Sequence, residues 1–415
     1  MTESSAGGTR LARHSVLAFS GYAIPLAVAF FAIPFAARAL GPVRFGLLGL
    51  AWALVEYLSF VDLGLGRATV RFVAASIATG GRDLRQTVAV AVGTQTAVGV
   101  VAALVLAAFA PRLASGIFSL EPGVRAEAAS MFYAVAANLA IVVVIGALRG
   151  ILEGAHRFDL SNAVKIPTAT AATLIPAIGA VAGVSLATVF WGVFAVRVIG
   201  VAVTALAIPR AVPGFAWEWP REWKQLRALL SFSAWLTVSA VINPILAGFD
   251  RIVLATIAGA AAVGLYTGPF EGATRLLLVP ISAVAVLFPT LSAGASANEM
   301  PRTQRVVESA LRQLALVMTV PITVLFVFAP EVLRLWLGPT FVGDGAPALR
   351  ILLIGVAANA LAHVPSVFLY AIGRPDLPAK NHIAELVIHL PLTVALVSAY
   401  GVTGAALAWT VRISL

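Results

Sequence analysis

The sequence predicts an all-α polytopic membrane protein of about 12 transmembrane helices, built as two six-helix bundles related by a parallel internal repeat, and three observations predict it. The 415 residues are 60% hydrophobic and 11% charged, with a mean hydropathy of +0.97, whereas an ordinary soluble domain is about 25% charged. The apolar residues fall in continuous runs of about 20, the length a helix needs to cross a hydrocarbon core about 30 Å thick, and do not alternate as the strands of a membrane barrel do. Blocks of residues also recur in the same order after 217 to 221 positions.

The first span is read at residues 15–39, after Arg10, Arg13 and His14. It resembles a signal peptide, but the run is longer than the roughly 7 to 15 residues of a signal h-region and a second span, 44–64, follows at once, so it is expected to be a retained helix. Spans at 86–110, 128–149, 161–182 and 185–208 complete an N-terminal six-helix lobe, residues 1–208. Residues 209–228, opening PRAVPGFAWEWPREWKQLR, mix three prolines, bulky aromatics and alternating charge, the composition of a cytoplasmic interfacial linker. Spans at 229–257, 264–292, 310–330, 347–371, 381–399 and 401–415 then form a C-terminal lobe, residues 229–415.

The formal net charge of +10 does not point to nucleic acid, because the basic residues are scattered between apolar runs. They read as topology signals. The N-terminus and the even-numbered connections hold 18 Lys and Arg, and the opposite side holds six, Arg38, Arg44, Arg112, Arg125, Arg334 and Arg350. That asymmetry predicts a cytoplasmic N-terminus by the positive-inside rule. With no cysteine in the chain, disulfides, Cys-ligated metal and thiol catalysis are excluded.

The repeat pairs Gly41 and Gly46 with Gly259 and Gly264, Phe109-Ala110-Pro111 with Phe328-Ala329-Pro330, and Val135-Ala136-Ala137-Asn138 with Val356-Ala357-Ala358-Asn359. Asp159-Leu160 returns as Asp376-Leu377, Gly183-Val184 as Gly401-Val402, and Trp191 as Trp409. An even number of spans per repeat gives both halves the same orientation, with the relating axis along the membrane normal. By the 218-residue shift the last helix would end near position 426, so the helix ending at Leu415 is expected to be incomplete or to meet a pinched bilayer.

The run ARALGPVRFGLLGLAWALVEYLSFVDLGLGRATVRFVA, residues 37–74, resembles the first two spans of polysaccharide transport proteins, the O-antigen flippase group of the multidrug/oligosaccharidyl-lipid/polysaccharide exporter superfamily. FDRIVLATIAGAAAVGLYT (249–267), FPTLSA (288–293) and LWLGPTF (335–341) resemble later parts of the same pattern. The resemblance implies a two-lobed alternating-access transporter with no cofactor. Its implied cargo is a lipid-linked anionic oligosaccharide, a polyprenyl-pyrophosphate glycan moved from the cytoplasmic to the outer leaflet of a bacterial inner membrane. Membrane lipids and polysaccharide polymerase machinery are the further partners it implies.

Ionisable groups inside spans cost at least about 2.5 to 3.5 kcal/mol at a helix centre, so each is a functional candidate. Glu56, Arg197, Glu271 and Arg275 are expected near mid-membrane, Asp250 and Arg251 nearer the outer third, and Arg38 at an outer mouth. Arginine binds phosphate oxygens with a planar fork and stays charged, which makes Arg38, Arg197, Arg251 and Arg275 candidates for pyrophosphate contact. Arg38 also reads as an interfacial anchor, and Asp250-Arg251 as a pair within one lobe. Glu271 and Arg275 share a helical face at i, i+4 and read either as a self-neutralising pair or, through Arg275, as a bridge to Glu56. Asp62, beside Glu56 in VEYLSFVDLGLG, reads as a cap or as a partner for Arg67 or Arg71.

In NHIAELVIHL, His382, Glu385 and His389 share a face, but the two histidines lie about 10 Å apart along the axis, too far for one metal ion. Glu385 with His389 could relay protons; the pair also reads as a cytoplasmic-end cap. His363 reads as an interior hydrogen-bonded histidine, and Asn138 and Asn359 as bridges between helices.

A small-molecule or drug exporter coupled to an ion gradient is the alternative on the same scaffold. An enzyme is disfavoured by the shortness of the outer loops, and an ATP-driven pump because Lys165, Lys224 and Lys380 lie in no GxxxxGK phosphate loop.

Overall fold

The computed structural model describes residues 3–57, 65–78, 84–118, 120, 122–212, 215–219, 246, 248–284, 287, 291, 300–372, 374 and 376–414. Among these, every regular element is helical. In chain order they are α1 (Glu3–Tyr57), α2 (Leu65–Ala78), α3 (Leu84–Arg112), α4 (Pro122–Gly154), α5 (Phe158–Val181), α6 (Leu186–Ala211), α7 (Gly259–Thr274), α8 (Met300–Val327), α9 (Ala329–Trp336), α10 (Gly345–Ala371) and α11 (Asp376–Ser414). Residues 248–257 are also helical and precede α7. Eight stretches among the described residues are long and apolar enough to cross a membrane, which makes the chain a multi-pass membrane protein.

Two of the eight are interrupted by glycine. Gly41 (φ 66°) breaks α1 and Gly401 (φ 54°) breaks α11. Past Gly401 the chain doubles back, since Gly404 packs on the backbone of Leu396 and Val397. Positive φ costs little only without a Cβ, and four of the five positive-φ glycines among the described residues form two repeat pairs, Gly41 with Gly259 and Gly183 with Gly401. The repeat therefore marks matching helix-to-helix turns. A second echo lies beside them: Arg157 clasps Asp159 with both ends of its fork (3.0 and 2.9 Å), and Arg374 clasps Asp376 in the same way (2.9 and 3.2 Å).

The chain forms two compact units, Met1–Ala36 with Ala51–Pro244, and Ala37–Leu50 with Ile245–Leu415. The segment around Gly41, counted in the sequence division with the N-terminal lobe, thus packs with the C-terminal helices. It can approach them because it presents glycine: Gly46 lies against the Ala260 carbonyl and Gly49 against Thr267, with Phe45 edge-on to Phe341 at 5.8 Å.

In the first unit, α4 is central and packs on α2, α3, α5 and α6. Small residues permit the close approaches: Gly99 of α3 faces Ala140, Gly150 and Gly154 of α4 face the backbone of Gly66 and Val70, and Gly200 of α6 faces Thr168. Val73, Val88, Leu148, Ile151, Ile208 and Phe215 close an apolar core at one end of this bundle. The start of the expected linker belongs to that core. Phe215 is buried, Trp217 donates to the Ala205 carbonyl (3.2 Å), and Glu218 pairs with Arg85 (3.2 Å) and Gln86 (3.1 Å). In the second unit α10 packs on α7, α8, α9 and α11, and α7 packs on α11.

Candidate functional site

The densest group of buried ionisable side chains among the described residues lies in the second unit. Asp250, on the helical stretch before α7, has no solvent exposure, and Arg251 is 2% exposed. The adjacent side chains take different side-chain hydrogen-bond partners. The Asp250 carboxylate accepts the backbone N–H of Arg251 (2.8 Å) and the hydroxyl of Tyr266, while the Arg251 guanidinium reaches Glu271 (3.2 Å) and stacks 4.6 Å from the Phe270 ring centre.

Helical spacing on α7 assembles this. Tyr266 and Phe270, then Glu271 and Arg275, stand four residues apart, and the helix tightens into a 3-10 turn at Arg275–Leu277. Glu271 takes Arg251 on one oxygen and Arg275 on the other, so one carboxylate serves two guanidiniums. The expected Glu271–Arg275 pair is present, but it is part of a three-residue chain. Phe270 also meets Trp409 edge-on at 5.7 Å, which ties α7 to the second arm of α11.

The expected relay residues face the same interior. His389 is fully buried, Glu385 is 8% exposed, and Glu385 takes the Asn381 amide (2.6 Å) with His382 at 3.5 Å. His389 lies edge-on to Phe249 at 6.3 Å and contacts the Thr393 hydroxyl at 3.2 Å. Sequence reasoning passed over two members. Tyr266 has an ordinary-looking side chain on an apolar face, and Arg412 sits in the last turn of α11; its guanidinium is 8% exposed and interacts electrostatically with Asp250, Glu385 and Tyr266. The signal that could have found Arg412 is the one used for the others, a lone charge in an apolar span.

Three candidates stand apart from this group. Arg38 donates to the backbone carbonyl of Leu335 in α9 and lies beside Gly338, an anchoring contact within the second unit. Arg197 on α6 donates to Asn138 on α4 at 2.7 Å, while the Asn138 amide donates to the carbonyls of Ala134 and Phe190, both at 2.9 Å. Asn138 thus bridges α4 and α6, as expected of it, and supplies the partner that the sequence left unnamed for Arg197. Glu56 lies on α1, but its side chain, like Asp62, lies outside the described residues. His363 bonds the Asn359 carbonyl of its own helix at 2.7 Å.

The first unit contains a groove of about 540 Å³ between α1 and α5, lined by Val28, Phe31, Phe35, Leu174, Ile178 and Val181 among others. Its walls are apolar, so it offers no group for phosphate or proton chemistry. No cluster of three or more metal-ligating side chains occurs among the described residues.

Over 407 residues the chain is 29% identical to a Shigella flexneri protein provisionally named an O-antigen transporter, covering 97% of this chain and 95% of that one. Over 190 residues it is 23% identical to a Haloferax volcanii protein provisionally named a flippase of low-salt glycan biosynthesis, covering 45% and 39% of the two chains. The fold matches that of a multidrug resistance MATE family transporter of the MOP superfamily, solved in an inward-facing conformation, with a TM-score of 0.75 at 16% identity over 96% of this chain and 94% of that one. The model of the family described as polysaccharide biosynthesis protein matches residues 12–294, and the chain belongs to that family.

Proposed function

We propose that this protein is a flippase that moves a polyprenyl-pyrophosphate-linked oligosaccharide from the cytoplasmic to the outer leaflet for cell-surface polysaccharide assembly. The reading is carried by the near full-length similarity to the Shigella flexneri protein named for O-antigen transport. It is supported by the multi-pass helical fold and by the transporter scaffold that the fold shares. The exporter alternative draws on likeness of fold alone, and one fold hosts many cargoes.

The chemistry of the second unit suits an anionic cargo. Arg251 and Arg275 share the Glu271 carboxylate, so Arg275 holds only one of its oxygens. A pyrophosphate oxygen could take the place of Glu271 on Arg275, the more exposed of the two arginines at 26%. Binding would then exchange one acceptor for another without stranding a guanidinium in an apolar surround. Transport would need no catalytic residue, and the polymerase that consumes the flipped repeat unit is the expected partner. The excess of basic residues at the N-terminus and even-numbered connections supports a cytoplasmic N-terminus in a bacterial inner membrane.

The test is to delete the gene and label the lipid-linked repeat unit with a membrane-impermeant glycan reagent. The unit should accumulate on the cytoplasmic face and return to the outer face on complementation. Normal appearance on the outer leaflet, in a strain without a second such transporter, would overturn the reading.

A further inference from the structure

Among the described stretches long enough to cross a membrane, α8 is the least covered by protein: only 11% of its apolar window is buried. Its buried residues are Thr303, Leu314 and Met318, which at 100° per residue fall on one face. Arg305, Ser309, Arg312, Leu316, Val320 and Val327 fall on the opposite face, and all of them are exposed, Leu316 at 68% and Val320 at 67%. One uncovered stripe thus passes from arginine to aliphatic side chains along a single helix.

Length fixes where this stripe meets the bilayer. The 28 residues of α8 make a helix about 42 Å long, about 12 Å more than the hydrocarbon core. The surplus belongs to the Met300 end, because every charged residue of α8 lies there: Arg302, Arg305, Glu308 and Arg312. With Val327 at the far edge of the core, Arg305 stands among the headgroups and Arg312 about 6 Å inside the hydrocarbon. Long side chains on a helix lean toward its N-terminus, so the Arg312 guanidinium reaches back to the level of the lipid phosphates.

The protein leaves that guanidinium without an acceptor. Glu308 stands one turn earlier, at the spacing that would pair the two, yet among the described residues Arg312 forms neither an ion pair nor a hydrogen bond. Arg305 donates its Nε–H to the carbonyl of Pro301 in its own helix (3.4 Å). At the corresponding end of α3, the repeat equivalent of α8 in the first unit, Arg85 is instead met by Glu218 (3.2 Å). A charge at the edge of the hydrocarbon needs a partner, and the acceptors at that depth are lipid phosphates.

We propose that Arg312 holds the phosphate of an anionic phospholipid, with the acyl chains along Leu316 and Val320, and that Arg305 selects the headgroup. Arginine suits phosphate oxygens because its fork offers two donors and stays charged. Arg305 lies about 10 Å further out along the axis, on the side where a zwitterionic lipid carries its ammonium group. Like charges repel there, whereas a headgroup without a cation meets no such cost. The two phosphoryl groups of a pyrophosphate, joined through one oxygen, do not span that distance, so the cargo gains no second arginine. The site needs only that α8 crosses a bilayer and does not depend on the flippase reading.

Native mass spectrometry of the full chain, titrated with phosphatidylglycerol or phosphatidylethanolamine of matched acyl chains, tests it. Phosphatidylglycerol should bind about threefold or more tightly than phosphatidylethanolamine. Arg312→Gln should abolish that preference by weakening phosphatidylglycerol, and Arg305→Gln should narrow it by admitting phosphatidylethanolamine. Arg312→Lys should keep it, because the charge remains. Glu308→Gln, which removes the one carboxylate of α8, should strengthen phosphatidylglycerol binding. Arg334→Gln, at an exposed arginine of α9, lowers the net charge equally and should change nothing. Equal binding of the two lipids by the wild type, or an equal loss in Arg334→Gln and Arg312→Gln, would sink the proposal. So would displacement of phosphatidylglycerol by an equimolar polyprenyl pyrophosphate, which would assign the stripe to the cargo.

Discussion

Gly46 and Gly264, 218 residues apart and equivalent in the repeat, lie back to back. A Cβ on Gly46 would collide with the carbonyl of Ala260, and one on Gly264 with the carbonyl of Pro42, itself the repeat equivalent of Ala260. The contact is reciprocal, as between elements exchanged by a two-fold rotation.

Gly46→Ala and Gly264→Ala should therefore do comparable harm, each costing about 3 kcal/mol by forcing backbone from backbone. Gly41→Ala should cost less, about 1 kcal/mol, because open space surrounds it and only its φ of 66° is strained. Thermal unfolding of the purified variants would check the order, and a Gly46→Ala variant as stable as the parent would contradict the contact.

Arg197 depends on Asn138. Asn138→Leu removes the acceptor at 2.7 Å and the two carbonyl caps together, and should cost about 2 to 3 kcal/mol. Adding Arg197→Met should recover part of that, since the stranded guanidinium goes with it. A double-mutant cycle measures the coupling, and strict additivity would show that the bond contributes nothing.

Glu271→Gln takes the charge from a carboxylate shared by two arginines and should destabilise the fold by about 3 kcal/mol, with Arg251→Met in the same chain offsetting part of the loss. Transport should fail in the single variant, because Arg275 without the competing carboxylate would hold an anion too tightly to release it. Cargo binding tighter than in the parent, alongside lost flipping, is the outcome to look for.

Tyr266→Phe deletes the hydroxyl that caps the buried Asp250 carboxylate while keeping the ring contact with Phe270 at 5.5 Å. The expected loss is about 1 to 3 kcal/mol. Adding Asp250→Asn, which no longer presents a buried charge, should shrink the effect of the tyrosine change, as chemical denaturation can read.

The class of fold was legible because a bilayer imposes a coarse rule on the chain. Runs of apolar residues must reach a fixed length, and their backbone must satisfy itself as helix, so α3, α5, α6 and α10 fall within a few residues of the spans expected at 86–110, 161–182, 185–208 and 347–371. The repeat was legible for a related reason. Glycines at Gly41, Gly183, Gly259 and Gly401 stand where backbones must turn through positive φ, which no other side chain does as cheaply. Amphipathic segments blurred the boundaries elsewhere: α8 begins at Met300, ahead of its apolar run, and α4 at Pro122.

What the sequence by itself determined was which residues carry charge into the apolar interior, since hydropathy alone exposes Arg197, Asp250, Arg251, Glu271 and Arg275. Partnership was decided only by tertiary structure. Asp250 and Arg251 are neighbours in the chain yet take different partners, because consecutive helical residues point about 100° apart. Arg38, read both as an interfacial anchor and as a phosphate contact, donates to a carbonyl of α9, a partner 297 residues away that its own segment does not reveal. Arg412 is buried, although it stands in the last turn of α11, because the turn at Gly401 folds the second arm of that helix back on the first. Electrostatic pairing depends on separation in space, and that is a property of the packed helices.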